Sequence, residues 1–327
     1  MKALVTGVAG FIGSHLAERL LRDGHEVIGV DCFTDYYGRD LKEANLADVR
    51  ATGGQAFSFV EADLNSVDLT ELLQPVTHVF HQAGQPGVRL SWGTDFAAYI
   101  DANIAATQRL LEAARTAPAL ERVVYASSSS VYGDAERYPT TELDRPMPRS
   151  PYGVTKLAAE HLCVLYAKNF GVPTTSLRYF TVYGPRQRPD MAFTRFLKAA
   201  LRGDTIGVYG DGEQVRDFTY VADIVEANVR AAMTDTPAGA VYNVAGGSSV
   251  TVNEVLAIIE KLTERPLDVH RSAAVDGDVR ITGGSTGEFT AATGWTSTVT
   301  VEEGLERHLA WAEETLADVP SRRADAT

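Results

Sequence analysis

The opening residues, "MKALVTGVAGFIGSHLAERLLRDG", constrain this chain more than any other stretch. "KALVTG" is a short apolar run ending in glycine, and "FIGSHLAERLLRDG" repeats its apolar residues at helical spacing and closes at Gly24. Between the two, Gly7, Gly10 and Gly13 recur at every third position. Small residues there let backbone approach a pyrophosphate, which then rests on the unpaired N–H groups of the helix N-terminus. The spacing is G-x-x-G-x-x-G rather than G-x-G-x-x-G, and a glycine triplet by itself also suits a tight turn. The strand before it and the helix after it point to a dinucleotide loop. "HEVIGVD" reads as a second strand, and Asp31 ends it about 20 residues on, where a ligand for a ribose 2′-OH belongs. A carboxylate at that position repels the 2′-phosphate of NADP, so the expected cofactor is NAD. Lys2 ahead of an apolar run superficially resembles a signal peptide, but the regular glycines and charged continuation fit strand, loop and helix better.

The same alternation continues. "THVFHQAG" and "RVVYASSS" read as strands, and "ANIAATQRLLEAARTA" and "GVTKLAAEHLCVLYAKNFG" as helices. Strands alternating with helices imply an α/β fold with a doubly wound parallel sheet of the Rossmann type. Past residue 180 or so the pattern loosens, through "VYGPRQRPDMAF", "GVYGDGEQVRDFTYV" and "GGSSVTVNEVLAIIEKL", into a smaller mixed α/β substrate region. The expected division is 1–180 plus a returning segment near 215–246 for NAD, 181–214 and 247–315 for substrate, and a polar tail over 316–327. No internal repeat is visible. A net charge of -13 and a pI near 5.0 argue against a nucleic-acid or anionic-membrane partner, although a local arginine cluster can still hold a small anion. Two cysteines, Cys32 and Cys163, make no disulfide framework, and no apolar run reaches the roughly 20 residues of a membrane helix. The expected location is the cytoplasm.

"YGVTK" places Tyr152 and Lys156 four residues apart at the start of a helix, on one face. A phenol with an ordinary pKa near 10 is a poor base at neutral pH. A neighbouring ammonium and a positive nicotinamide ring are expected to lower it and make a usable phenolate. The pair is commonplace alone and specific only after a dinucleotide loop and a serine-rich strand end.

Taken together, "TGVAGFIG", "ASSSSVYG", "SPYGVTK", "RYFTVYGPRQRPDM" and "VRDFTYVADI" resemble the extended short-chain dehydrogenase/reductase superfamily. Within it the chain is similar to nucleotide-sugar 4-epimerases, and most of all to UDP-glucuronate 4-epimerases, from Met1 to about residue 310. "HQAGQPGVRLSWG" resembles a signature of the uronate branch. The resemblance implies NAD as cofactor, a UDP-sugar as substrate, no metal, and a homodimer built from paired helices. It implies Tyr152, Lys156 and Ser128 as the catalytic set. It implies a cofactor set of Gly7, Gly10, Phe11, Ile12, Gly13, Asp31, Asp63, Leu64, Asn103, Tyr179, Tyr152 and Lys156. Arg216 is expected on the diphosphate, with Asp278 a structural or ribose contact. The departures are Gln82 and Gly84, where relatives usually carry Leu and Ala, and Val275, where many carry an arginine that Arg280 is a candidate to replace.

The four serines, Ser127 to Ser130, decide which reaction follows the shared first step, hydride loss from sugar C4. The similar 4,6-dehydratases carry Thr-Asp-Glu before "VYG", and UDP-glucuronate decarboxylases Thr-Ser-Glu; this chain has Ser128, Ser129 and Ser130. A 4-keto uronate is a β-keto acid with an acidic C5 proton, which a nearby Glu could abstract. Hydroxyls can hold its carboxylate without acting as a base. Ser128, Ser129, Ser130 and Thr181 are therefore expected on the carboxylate, with Arg188 in a bidentate contact, or Arg186 if the loop register differs, and Ser127 structural. The reaction expected is 4-epimerisation of UDP-glucuronate to UDP-galacturonate. The alternatives are a UDP-glucose 4-epimerase, a UDP-glucuronate decarboxylase, and a non-catalytic NAD-binding regulator.

Overall fold

A computed structural model describes residues 1–273 and 280–316. In chain order the strands are β1 (Lys2–Thr6), β2 (Glu26–Asp31), β3 (Phe57–Glu61), β4 (His78–His81), β5 (Arg122–Ser128), β6 (Thr174–Tyr179), β7 (Val182–Tyr183), β8 (Ile206–Tyr209), β9 (Val215–Arg216), β10 (Thr219–Tyr220), β11 (Ala240–Val244), β12 (Val250–Thr251) and β13 (Val269–Ser272). The helices are α1 (Phe11–Arg22), α2 (Arg39–Gly53), α3 (Leu69–Leu73), α4 (Phe96–Tyr99), α5 (Ala106–Ala114), α6 (Pro151–Phe170), α7 (Ala192–Arg202), α8 (Val221–Met233), α9 (Val252–Thr263), α10 (Gly287–Thr293) and α11 (Val301–Leu316).

Seven strands pair in parallel in the order β11-β6-β5-β4-β1-β2-β3. Neighbouring residues face opposite ways along a strand, and here both faces are covered, so apolar side chains from the central strands point to both sides. Val5, Phe80, Val124 and Leu177 join Leu16, Leu20 and Ile224 on the α1/α8 side. Leu4, Val79, Val123 and Tyr125 join Leu110, Ala159 and Cys163 on the α5/α6 side. Full burial of one such side chain contributes about 1.5–3 kcal/mol. The chain leaves the sheet after β6, runs through β7, α7, β8, β9, β10 and α8, and returns as β11; β12 and β13, which follow β11, then pair with β9 and β8, and β10 pairs with β7. Helices α7, α9 and α11 pack on one another beside those pairs. Because β1 lies between β4 and β2, the strand order reverses there and opens a crevice at the C-terminal edge.

Two local features position the site. The expected helix over "ANIAATQRLLEAARTA" carries a π-turn, Ile100–Ala105, between α4 and α5, and Asn103 sits in it. At the end of β5, Arg178 donates to Glu160 at 2.6 and 2.9 Å, and Ser127 Oγ donates to the same carboxylate at 2.7 Å. This paired charge ties α6 to β5 and β6 and leaves Ser127 structural.

Candidate active site

A cleft of about 690 Å³ opens along the C-terminal ends of β1, β2, β4, β5 and β6. At one end lies the glycine loop. Gly7 has a φ of +69°, and a Cβ there would meet the Ala83 nitrogen at 2.8 Å. A Cβ on Gly13 would meet the Gly7 carbonyl oxygen at 2.1 Å, so the loop folds onto α1 only with glycine at that position. Gly10 caps α1 without a side chain, and among the described residues no side chain bonds the first-turn N–H groups. Those free donors and the glycine cradle fit a dinucleotide pyrophosphate. Gly13→Ala is expected to lower stability by about 1–3 kcal/mol through overpacking and to abolish NAD retention, measured by thermal unfolding and cofactor titration.

Beyond the loop, Asp31 ends β2 and lines the cleft. Its carboxylate accepts from Ala9 N at 3.1 Å and Phe33 N at 2.9 Å, which fixes it beside the loop. Asp63 and Leu64 line the same end, with Asp63 accepting from Asn65 N at 2.8 Å. Phe11, Ile12 and Tyr179 also line the cleft; the Tyr179 hydroxyl donates to Asn228 at 2.9 Å and accepts from Gln82 at 3.2 Å.

At the opposite end, α6 begins at Ser150, whose hydroxyl accepts from Gly153 N at 3.0 Å, with Pro151 at the first helical position. A Cβ on Gly153 would meet the Ser130 carbonyl at 2.5 Å, so glycine lets the helix lie on the serine run. That approach brings the Tyr152 phenol beside Ser128, whose hydroxyl acts on it electrostatically. Ser128, Ser129, Ser130, Thr181, Tyr152, Lys156 and Arg188 all line this end. Ser128 Oγ also accepts from Ser130 N at 3.2 Å.

Among the protein's own groups, burial and not Lys156 dominates at Tyr152. Burial holds the Tyr152 phenol above its usual pKa, and the groups opposing burial are the Ser128 hydroxyl and the Arg188 guanidinium. Burial also lowers Lys156, to about 8, and its Nζ stands 5.0 Å over the Tyr125 ring.

The two loop arginines part ways. Arg188 lines the cleft, whereas Arg186 turns away at a φ of +65°. Arg186 donates to Glu18 at 2.5 Å, Asp48 at 2.7 Å and Ser14 at 3.3 Å, which fastens the loop to α1 and α2. The Arg186 expectation is corrected accordingly: two carboxylates from the first fifty residues hold it out of the cleft.

Asn103, expected near the cofactor or the active-site strand, braces the cleft-lining Gln85 against α6. It is buried off the cleft lining, its Oδ1 accepts from Gln85 N at 2.7 Å, and its Nδ2 donates to Gln85 O at 3.0 Å and to Thr155 at 2.9 Å. A hydrogen-bonded chain continues from it. Thr107 donates its only hydroxyl hydrogen to Asn103 O at 2.7 Å, so it accepts from His81 Nε2, 2.9 Å away. His81 Nδ1 then accepts from Thr6 at 2.8 Å, and Thr6 accepts from Ala83 N at 3.1 Å. Burial, with Lys156 second, lowers the His81 pKa to about 3, so this neutral tautomer persists at ordinary pH. The chain ties the ends of β1 and β4 together beneath the cleft.

Arg216 lies on β9, paired with β12 and outside the cleft lining; its Nη1 donates to the Val215 and Arg280 carbonyls at 2.9 and 3.3 Å. Asp278 and Val275 lie outside the described residues. Sequence reasoning missed Tyr36, Lys42 and Gln85, which line the cleft. Tyr36 belongs to an aromatic-rich segment, "FTDYYG", which begins two residues after Asp31, and that position was an available signal. Lys42, donating to Thr34 O at 2.7 Å, carried none. Among the described residues no cluster of three His, Cys, Asp or Glu is placed to hold a metal, and no helix is long and apolar enough to cross a membrane.

A model of the NAD dependent epimerase/dehydratase family matches residues 3–245. Bacillus subtilis YtcB, described as an uncharacterised UDP-glucose epimerase, is 44% identical over 279 residues, spanning 85% of this chain and 87% of YtcB. A probable UDP-glucuronate 4-epimerase of Rhizobium meliloti is 38% identical over 335 residues, spanning 96% of this chain and 97% of that protein. The UDP-glucuronic acid 4-epimerase of Bacillus cereus, solved in complex with UDP-glucuronic acid and NAD, superposes with a TM-score of 0.92 at 40% identity, covering 96% of this chain and 99% of that one.

Proposed function

The chain belongs to the NAD dependent epimerase/dehydratase family, and we propose that it interconverts UDP-glucuronate and UDP-galacturonate by NAD-dependent 4-epimerisation. The observation that carries this reading is the composition of the cleft around Tyr152. Its walls there offer Ser128, Ser129, Ser130 and Thr181 hydroxyls and the Arg188 cation, and among the described lining residues no carboxylate. The lining acids, Asp31, Asp63 and Asp101, come from the other strands and the π-turn.

Each residue then has a task. The loop of Gly7, Gly10 and Gly13 with the N–H groups of α1 takes the pyrophosphate, Asp31 the adenosine ribose, and Asp63 and Leu64 the adenine. NAD, when bound, supplies a hydride acceptor and then a hydride donor for sugar C4. Tyr152 removes and returns the 4-OH proton, with Ser128 orienting the sugar oxygen and Lys156 the nicotinamide ribose. The hydroxyls and Arg188 hold the substrate carboxylate without presenting a base to C5. Carboxylate contact near the ring plane also disfavours CO₂ loss, which needs the breaking bond aligned with the carbonyl π system. The intermediate turns over in the cleft and is reduced on its other face.

The division into 1–180 with 215–246 for NAD and the remainder for UDP-sugar belongs to this proposal. It is supported by the return of the chain as β11. So does a homodimer, supported by a helical stripe on α6, Val154, Ala158, His161 and Leu165, with Val154 and Leu165 exposed. A second reading, UDP-glucose 4-epimerisation, is favoured by one observation: Arg188 already has a carboxylate partner in the protein, Asp190. Product analysis with each UDP-sugar separates the two.

A further inference from the structure

Arg188 reaches the cleft with part of its hydrogen-bonding capacity spent. Its Nε donates to Asp190 Oδ1 at 3.0 Å and its Nη2 to Asp190 Oδ2 at 2.9 Å, a side-on fork. The Tyr36 ring lies 5.3 Å from the guanidinium carbon, and the Tyr36 hydroxyl donates to Asp190 Oδ2 at 3.4 Å. Gly87 makes room for that hydroxyl, since a Cβ there would lie 2.3 Å from it. Arg188's side chain is 17% exposed and Asp190's 45%, so the cation faces inward and its partner stands on the solvent side.

We propose that Asp190 is a specificity-determining residue, which makes the Arg188 end of the cleft tolerant of a neutral C6 group by cancelling its charge. This rests on the reading that Arg188 meets the substituent at C6. A guanidinium has five N–H donors, so the fork to Asp190 leaves three for a ligand, and a uronate carboxylate can bind without displacing Asp190. It meets a pair of net charge near zero instead of a free cation, which reduces the electrostatic advantage of the acid. A neutral hydroxymethyl group gains from the same pairing: without Asp190 it would cover an uncompensated, largely buried cation. Asp190 therefore narrows the gap between acidic and neutral sugars from both sides. Because Asp190 is nearly half exposed, solvent screens the effect and it stays moderate.

The test is calorimetric titration of the NAD-loaded enzyme with UDP-glucuronate and with UDP-glucose. In Asp190→Asn the Kd ratio is expected to move about fivefold toward the uronate, with Asp190→Glu restoring it. Asp190→Ser, which removes the charge with a smaller side chain, is expected to move the ratio in the same direction. A ratio that stays put or moves toward glucose in the Asn and Ser variants overturns the proposal. Arg188→Ala in the same titration separates its failure from that of the underlying reading. Equal weakening of both sugars overturns the C6 assignment and this proposal with it. A uronate-selective loss, with an unmoved ratio in Asp190→Asn, overturns this proposal alone.

Discussion

Tyr152→Phe is expected to slow epimerisation of UDP-glucuronate by roughly 10³-fold while leaving the protein folded and able to bind NAD. The change removes one oxygen, the one that faces Ser128. Burial keeps that phenol protonated at neutral pH, and two features of the protein pull the other way: the Ser128 hydroxyl and the positive Arg188. The resting group is thus an acid with its counter-charges in place, suited to exchanging a proton with a sugar hydroxyl whose own acidity rises as hydride leaves C4. Lys156, although burial lowers its pKa to about 8, is still mostly protonated at neutral pH. Phenylalanine fills the same space, so melting temperature and NAD titration should match the parent. Retention of a tenth or more of the parent rate would remove Tyr152 from the proton-transfer role.

Arg188→Ala is expected to lower kcat/KM for UDP-glucuronate by about 30- to 100-fold, the equivalent of 2–3 kcal/mol for a charged hydrogen-bonded contact, and for UDP-glucose by no more than about threefold. Two effects add for the acid. The carboxylate loses its cation, and Asp190, deprived of Arg188, becomes an unpaired negative charge beside it. Arg186 cannot take over, because Glu18, Asp48 and Ser14 occupy it on the far side of the loop. Steady-state kinetics with both sugars measures the difference. An equal loss on the two substrates would place Arg188 on a part of the molecule they share.

What could be read from the chain and what could not separate along physical lines. The glycine loop and the Tyr152–Lys156 spacing are local: a strand–loop–helix pattern and a one-turn offset determine them within a few residues. The likeness of the serine run to a family signature was legible for the same reason. The choice between Arg186 and Arg188 was not, because it depends on a positive φ and on partners 168 and 138 residues away. The π-turn at Ile100–Ala105, in which Asn103 sits, is invisible in a helical pattern, since one extra residue in a turn leaves composition unchanged. The burial that raises the Tyr152 pKa is a tertiary quantity, which the one-turn offset to Lys156 does not display. The His81 chain through Thr6 and Thr107 joins three separate elements, and nothing in the spacing of those residues announces it.

The most direct measurement is product analysis after incubating the purified, NAD-loaded enzyme with UDP-glucuronate, following sugar nucleotides, CO₂ and NADH together. The expected result is UDP-galacturonate approaching an equilibrium mixture, with NAD recovered in full and neither pentose nor CO₂ formed. A UDP-pentose with CO₂, or no change in UDP-glucuronate where UDP-glucose is converted to UDP-galactose, would contradict a cleft built to hold a uronate carboxylate intact.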